Sequence, residues 1–130
     1  MFVRWQSQTR QRPDIGHHGP AAAGRDVRWT AVLVESVRVK GQRRQRHIAS
    51  LASITESHLE VDQQRRYFWE AVHERLDQLG NLISIDDRRR IEDAIALKVP
   101  RLSREEHEAS VEKVRQNFPE TEHKPYRSPT

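Results

Sequence analysis

The chain has no cysteine among its 130 residues, which removes disulfides, iron–sulfur ligation and thiolate zinc sites together. It has five glycines and no glycine-rich phosphate loop. No stretch approaches the roughly 20 apolar residues that span a bilayer, so no membrane partner is expected. The opening Met1-Phe2-Val3-Arg4-Trp5-Gln6 lacks the apolar core of a secretory signal. Pro13, Gly16 and Gly19-Pro20 interrupt any amphipathic transit helix. These absences set the expectation of a cytoplasmic protein.

What is there is charge. Charged residues make up 32% of the chain and hydrophobic ones 35%, enough for one modest core with polar ends left over. The net charge of +4 is unevenly spread. Between residues 28 and 52, Arg28, Arg38, Lys40, Arg43, Arg44 and Arg46 face Glu35 alone, a net of +5. Residues 53–80 run the other way, three arginines against six carboxylates. The positive field therefore belongs to one segment beside an acidic one, and points to partners better than the overall balance does.

Local patterns predict an α+β domain over residues 28–118, with disordered ends at 1–27 and 119–130. The N-terminal stretch is polar and punctuated by glycine and proline. From Trp29 to Val39 the chain is dense in β-branched and apolar residues, Lys40-Gly41-Gln42 supplies a turn, and Arg43 to Leu51 can pair back antiparallel. The expectation is an antiparallel β-hairpin over 29–51. Three α-helices should come after it, at about 58–79, 85–98 and 104–117. The first carries Val61, Phe68, Trp69, Val72, Leu76 and Leu79 on one stripe and stops at Gly80-Asn81. Ser84 caps the second, whose stripe is Ile91, Ile95 and Val99 before Pro100. Ser103-Arg104-Glu105-Glu106 is a capping box for the third, with His107, Val111, Val114 and Phe118 on its apolar side. A two-stranded hairpin is marginal alone. It must pack on the Phe68/Trp69 helix or pair with another chain, which makes the hairpin edge a candidate homodimer seam.

Catalytic chemistry finds little footing. None of the seven histidines has a second histidine at i, i+4; His73 and Asp77 share a helix face, but one His and one Asp at that spacing reads as a surface pair rather than a metal site. The carboxylates are scattered at helical spacings among basic neighbours, and no serine sits in a strand–turn–helix elbow. No enzyme activity, metal or cofactor is expected. Tyr67 and Trp69, preceded by Arg65-Arg66, are candidate stacking residues for single-stranded bases; the competing reading makes Phe68 and Trp69 core.

The hairpin arginines carry the sharper signal. On a strand, Arg44 and Arg46 point to one face and Arg43, Gln45 and His47 to the other. Arg38 and Lys40 add charge beside the turn. A two-stranded ribbon fits the DNA major groove, and guanidinium forks suit phosphates and guanine edges. The candidate nucleic-acid-binding residues are therefore Arg38, Lys40, Arg43, Arg44 and Arg46, with duplex DNA the expected partner. The competing reading is a charge set that protects an exposed strand edge.

The run Leu33-Val34-Glu35-Ser36-Val37-Arg38, then Gly41, then Arg43-Arg44-Gln45-Arg46 resembles a segment near the N-terminus of many DDE-type insertion-sequence transposases. There an LVES-x-R strand, a short turn and an R-Q-R strand lead to a Tyr-Leu-Gly, where this chain has Ser50-Leu51-Ala52. No RNase H-like catalytic domain fits in the residues beyond the hairpin, so transposase activity is not implied. The stretch from Arg28 to Phe118 also resembles small bacterial proteins of unassigned role, α-proteobacterial ones among them. Both resemblances imply a mobile-element or accessory-gene setting. Three readings are open: a nucleic-acid-binding accessory protein, a protein-interaction module that regulates a nucleic-acid-processing complex through its acidic helix or hairpin edge, and a non-functional transposase-like fragment.

Overall fold

The computed structural model describes residues 1–11 and 25–129. It is a mixed α+β fold of three antiparallel strands followed by three helices: β1 Phe2–Gln11, β2 Arg25–Val39, β3 Gln42–Thr55, α1 Asp62–Leu79, α2 Ile85–Ala96 and α3 Arg104–Asn117. The order across the sheet is β1-β2-β3. Among the described residues, no helix is long and apolar enough to cross a membrane.

The expected hairpin is β2–β3, longer at both ends than residues 29–51. Its turn is two residues, Lys40 at φ 53° and Gly41 at φ 77°, the paired left-handed conformation that matches the twist of a hairpin. The helices fall close to their expected spans. Ser84 Oγ accepts from the Asp87 amide, and the Ser103/Glu106 capping box is complete in both directions. The first helix starts later than residue 58, because Glu56–His58 forms a short 3-10 turn. Phe118 leaves its expected stripe and is exposed at the end of α3.

The N-terminal stretch corrects the expected disorder. Residues 2–11 form an edge strand in unbroken register with β2, from Phe2 opposite Val34 to Gln11 opposite Arg25. The alternation Val3, Trp5 against Arg4, Gln6 explains why: Val3 and Trp5 turn inward onto the core, and Trp5 stacks on Phe68 with ring centroids 6.2 Å apart. The rest of the segment expected to be disordered, residues 12–24, lies outside the described residues. The C-terminal stretch is a second correction. It has no regular secondary structure up to residue 129, yet it is anchored. Arg127 Nη2 donates to Asp77 Oδ2 at 2.9 Å, Lys124 Nζ lies 3.3 Å from Glu74, and the Tyr126 ring meets His107 edge-on.

One face of the sheet makes the core. Ala31, Leu33, Ala49, Leu51 and Ile54 pack there against Phe68, Val72 and Leu76 of α1 and Ile91 and Ile95 of α2. Two irregularities in β3 allow it. Pairing skips Ile48 between Val34/His47 and Leu33/Ala49, and skips Leu51 between Val32/Ser50 and Ala31/Ala52. Each bulge resets which parity of residue faces inward. Ala49 and Ile54, which strict alternation would set on opposite faces, thus share the core side.

The inward Trp5 of β1 sets a test. Trp5→Ala should destabilise the fold by about 2 kcal/mol, somewhat less than a fully buried aromatic would, whereas Gln8→Ala on the exposed part of the same strand should be silent. Equal urea midpoints for Trp5→Ala and Gln8→Ala would show that β1 is not part of the cooperative unit.

Candidate nucleic-acid interface

β1 stops pairing at Phe2, opposite Val34, whereas the β2–β3 ladder continues to Val39 and Gln42. Residues 35–46 therefore project past the three-stranded sheet as a two-stranded ribbon. All five candidate cations, Arg38, Lys40, Arg43, Arg44 and Arg46, lie in it and all are exposed. Strand parity divides them between faces as expected. Arg44 and Arg46 oppose Val37 and Glu35 on the side continuous with the core, and Arg38 opposes Arg43 on the other.

The two sides differ in charge pairing. Arg46 is held by a salt bridge to Glu35 across the strands, and Arg44 Nη2 donates to Gln42 Oε1 at 3.1 Å. Among the described residues no carboxylate pairs with Arg38, Lys40, Arg43 or Arg44. Arg38 and Arg43 stand directly opposite on one face, a like-charge cross-strand pair that disfavours the hairpin by a few tenths to about 1 kcal/mol. Lys40 adds a second local cost, because a non-glycine residue at positive φ sits where a two-residue turn prefers Asn or Gly.

The face carrying Arg38 and Arg43 extends down the sheet. α1 packs on β3 and α2 lies against β1 on the core side; among the described residues no helix covers the opposite side. There Arg4 and Arg28 are exposed on the same face as Arg38 and Arg43. Arg4 Nη1 crosses β2 to donate to Gln45 Oε1 at 3.0 Å, so its stem spans the central strand where Val32 and Val34 are buried. Sequence reasoning misses Arg4, because the composition of its segment does not read as a strand. The alternation around Trp5 is the available signal.

The two candidate stacking residues separate. Tyr67 is exposed, accepts a hydrogen bond from Gln63 Nε2 at 3.0 Å and carries the Arg66 guanidinium 4.8 Å from its ring centre. It lines a shallow groove with Arg28 and Thr55, at the end of the sheet remote from the turn. Ten strand residues separate Arg28 from Arg38, about 33 Å by strand rise, so Tyr67 is not part of the ribbon. Trp69 is only 5% exposed and belongs to the core. Its Nε1 donates to the carbonyls of Val99 and Pro100 at 3.2 and 3.3 Å. A nucleic-acid base has no access to it. Lys98 and Arg101 do not extend the ribbon either: Lys98 lies 3.5 Å from the Trp29 ring centre, and Arg101 is paired with Asp93.

Trp69 instead borders a cluster of buried ionisable groups. His73 Nδ1 stands 3.3 Å from Glu92 Oε1 without hydrogen-bond alignment, and Glu92 is 3% exposed. Burial, reinforced by Arg127 and Arg88, lowers the His73 pKa to about 4; burial raises that of Glu92. Hydrogen bonds from Arg127 and Arg88 hold Asp77 at about 2. The unfolded chain protonates His73 near 6.5 and the folded chain only near 4, so stability should fall as pH drops from 6.5 to 4. Glu92 works against this slope, since its raised folded pKa favours the folded state on acidification, and Asp77 contributes only below its ordinary 3.8. Denaturant melts should show the wild type losing stability across that window and His73→Gln losing less. Parallel profiles would remove His73 as the cause.

In comparisons with protein-family models, curated proteins and solved structures the chain finds no match, so the candidate interface stands on its own geometry.

Proposed function

We propose that the chain is a non-enzymatic accessory protein that binds nucleic acid, duplex DNA in the first instance, through the projecting β2–β3 ribbon. The observation that carries this reading is the directly opposed pair Arg38 and Arg43 on an exposed face, with no carboxylate partner among the described residues. A charge set that only protected an edge would not need two arginines facing each other at a local cost. Two phosphate oxygens, or a phosphate and a base edge, would relieve the repulsion and engage both forks. Lys40 supports the same reading. It holds a cation at the tip of the ribbon in a backbone conformation better suited to Asn.

The alternative, a protein-interaction module working through the acidic helix, finds three of its five carboxylates engaged within the chain. Glu70 pairs with Arg66, Glu74 with Lys124, and Asp77 with Arg88 and Arg127.

The reading is tested by titrating the full chain onto short duplex DNA at several salt concentrations. Arg38→Ala/Arg43→Ala should weaken binding and lower the salt slope by about 2, one unit for each phosphate no longer neutralised; undiminished affinity would reject the ribbon. Lys40→Asn should separate function from fold, raising stability by about 1 kcal/mol through relief of the left-handed lysine while weakening DNA binding. A variant that gains stability and binds as before would remove Lys40 from the interface.

A further inference from the structure

The two edges of the sheet are unlike. β3 is interrupted twice, at Ile48 and Leu51, and its turn end carries Arg43, Arg44 and Arg46. Bulges and charges of this kind blunt a strand edge. β1 is barer. Its ten residues hold unbroken register with β2 and include no proline or lysine, and among the described residues no strand pairs with its outer side. The Arg4 guanidinium reaches away from that edge, across β2 to Gln45. Cover on the helix side is uneven too. Val3 and Trp5 pack on the core there, whereas Ser7 and Thr9, which share that side by parity, are exposed. Leu97, just past the end of α2, is 90% exposed, more than any other large apolar side chain described. Its neighbour Lys98 lies over Trp29, the β2 residue opposite Ser7, and near Trp5. Leu97 therefore stands close to the level of mid-β1.

We propose that two copies of the chain pair through β1, antiparallel about a two-fold axis at Gln6, to form one six-stranded sheet. Directly opposed residues of an antiparallel pair share a face. With Gln6 opposite Gln6 of the second copy, Trp5 meets Ser7, Val3 meets Thr9 and Arg4 meets Gln8, so none of these pairs opposes like charges. The register is self-complementary in cover as well. The covered half of each β1 lies beside the uncovered half of the other, so each α2 approaches the exposed Ser7 and Thr9 of the second copy. The two α2 helices avoid each other because Val3 and Trp5 of the two copies are centred about 13 Å apart along the strands. Leu97 completes the seam. α1 packs on β3 and α2 on β1, so the side of α2 away from α1 looks beyond β1. Leu97 lies about 140° round the helix from Glu92, which meets His73 of α1, and so turns toward the axis. A second copy is the occupant because one two-fold contact satisfies both half-covered edges at once. The axis stands perpendicular to the sheet, so both helix layers lie on one side and both open arginine faces on the other. The dimer does not depend on the ribbon binding nucleic acid.

Sedimentation of the full-length protein over a wide concentration range should show reversible dimerisation, the mass approaching twice the 15.3 kDa of the chain. In the dimer, the alternate β1 amides that do not bond to β2 should exchange with solvent at least tenfold more slowly than in the dilute monomer. Ser7→Lys alters an exposed side chain but sets a cation opposite Trp5 of the second copy. It should raise the dissociation constant at least tenfold with the circular dichroism of the fold unchanged. Should Ser7→Lys disturb the strand, Leu97→Asp lies outside the sheet and should weaken the dimer likewise. The proposal is overturned if the protein stays monomeric up to millimolar concentration, or if the slowed amides lie on β3 rather than β1. It is overturned equally if the variants dimerise as the wild type does.

Discussion

Phe68 and Trp69 join the two layers of this molecule, and the remaining packing depends on their being adjacent. Neighbouring residues on a helix point about 100° apart, so one turn of α1 can serve two directions. Phe68 goes to the sheet, stacked on Trp5 and edge-on to Trp69. Trp69 goes to the end of α2, where its indole holds the Val99 and Pro100 carbonyls. Those carbonyls lie just past the last turn of α2, where Pro100 ends any helical continuation. One hydrogen-bonding aromatic thus ties α1 to the segment that leaves α2 and helps fix how the two helices sit together. With the helices so placed, His73 and Glu92 are brought together one turn further along.

The sheet has only one such layer against it among the described residues, and that asymmetry creates the candidate interface. Three strands with one face on helices leave the other mostly to polar side chains, the usual state of an antiparallel sheet, with Val32 and Val34 buried there along the central strand. The bulges at Ile48 and Leu51 concentrate the apolar side chains of β3 on the covered side. Ser50 and His47 are left on the other side, hydrogen-bonded to each other at 3.3 Å. Arg4, Arg28, Arg38 and Arg43 then share that open face by parity alone.

Features with a local cause can be read from sequence. The hairpin announces itself through β-branched density and a Lys-Gly turn, and α2 and α3 through their serine caps; each depends on residues a few positions apart. The division of Arg43 from Arg44 and Arg46 needs only the two-residue period of a strand. β1 cannot be read the same way. Gln6-Ser7-Gln8-Thr9 has no strand preference of its own and is held by pairing with residues 27–30, across a segment rich in glycine and proline. The C-terminal stretch is opaque for a similar reason. Lys124, Tyr126 and Arg127 are single anchors without periodicity, and their partners Glu74, His107 and Asp77 lie on two different helices. The bulges change parity without any glycine to mark them. Trp69 is legible as core through its stripe, but the buried cluster it borders is not, since it exists only once two helices and the C-terminal stretch have met.

The charge asymmetry of the sequence takes on a different meaning once folded. The acidic stretch 53–80 reads as a surface complementary to the basic one, yet the two do not neutralise each other. Four of its six carboxylates are met by other cations: Asp62 by Arg65 and Glu70 by Arg66 within the stretch, Glu74 by Lys124 and Asp77 by Arg88 and Arg127 from beyond it. Arg65 is shared with Glu106 of α3 at 2.9 Å. Pairs of this kind, several with one member buried, are less screened by salt than exposed ones. Among the described residues, only one ribbon cation, Arg46, has a carboxylate of its own, Glu35. Unbalanced positive charge is thereby concentrated at the turn end of the β2–β3 ribbon, projecting beyond β1. A field concentrated at one protruding end orients an approaching polyanion toward that end before any contact is made.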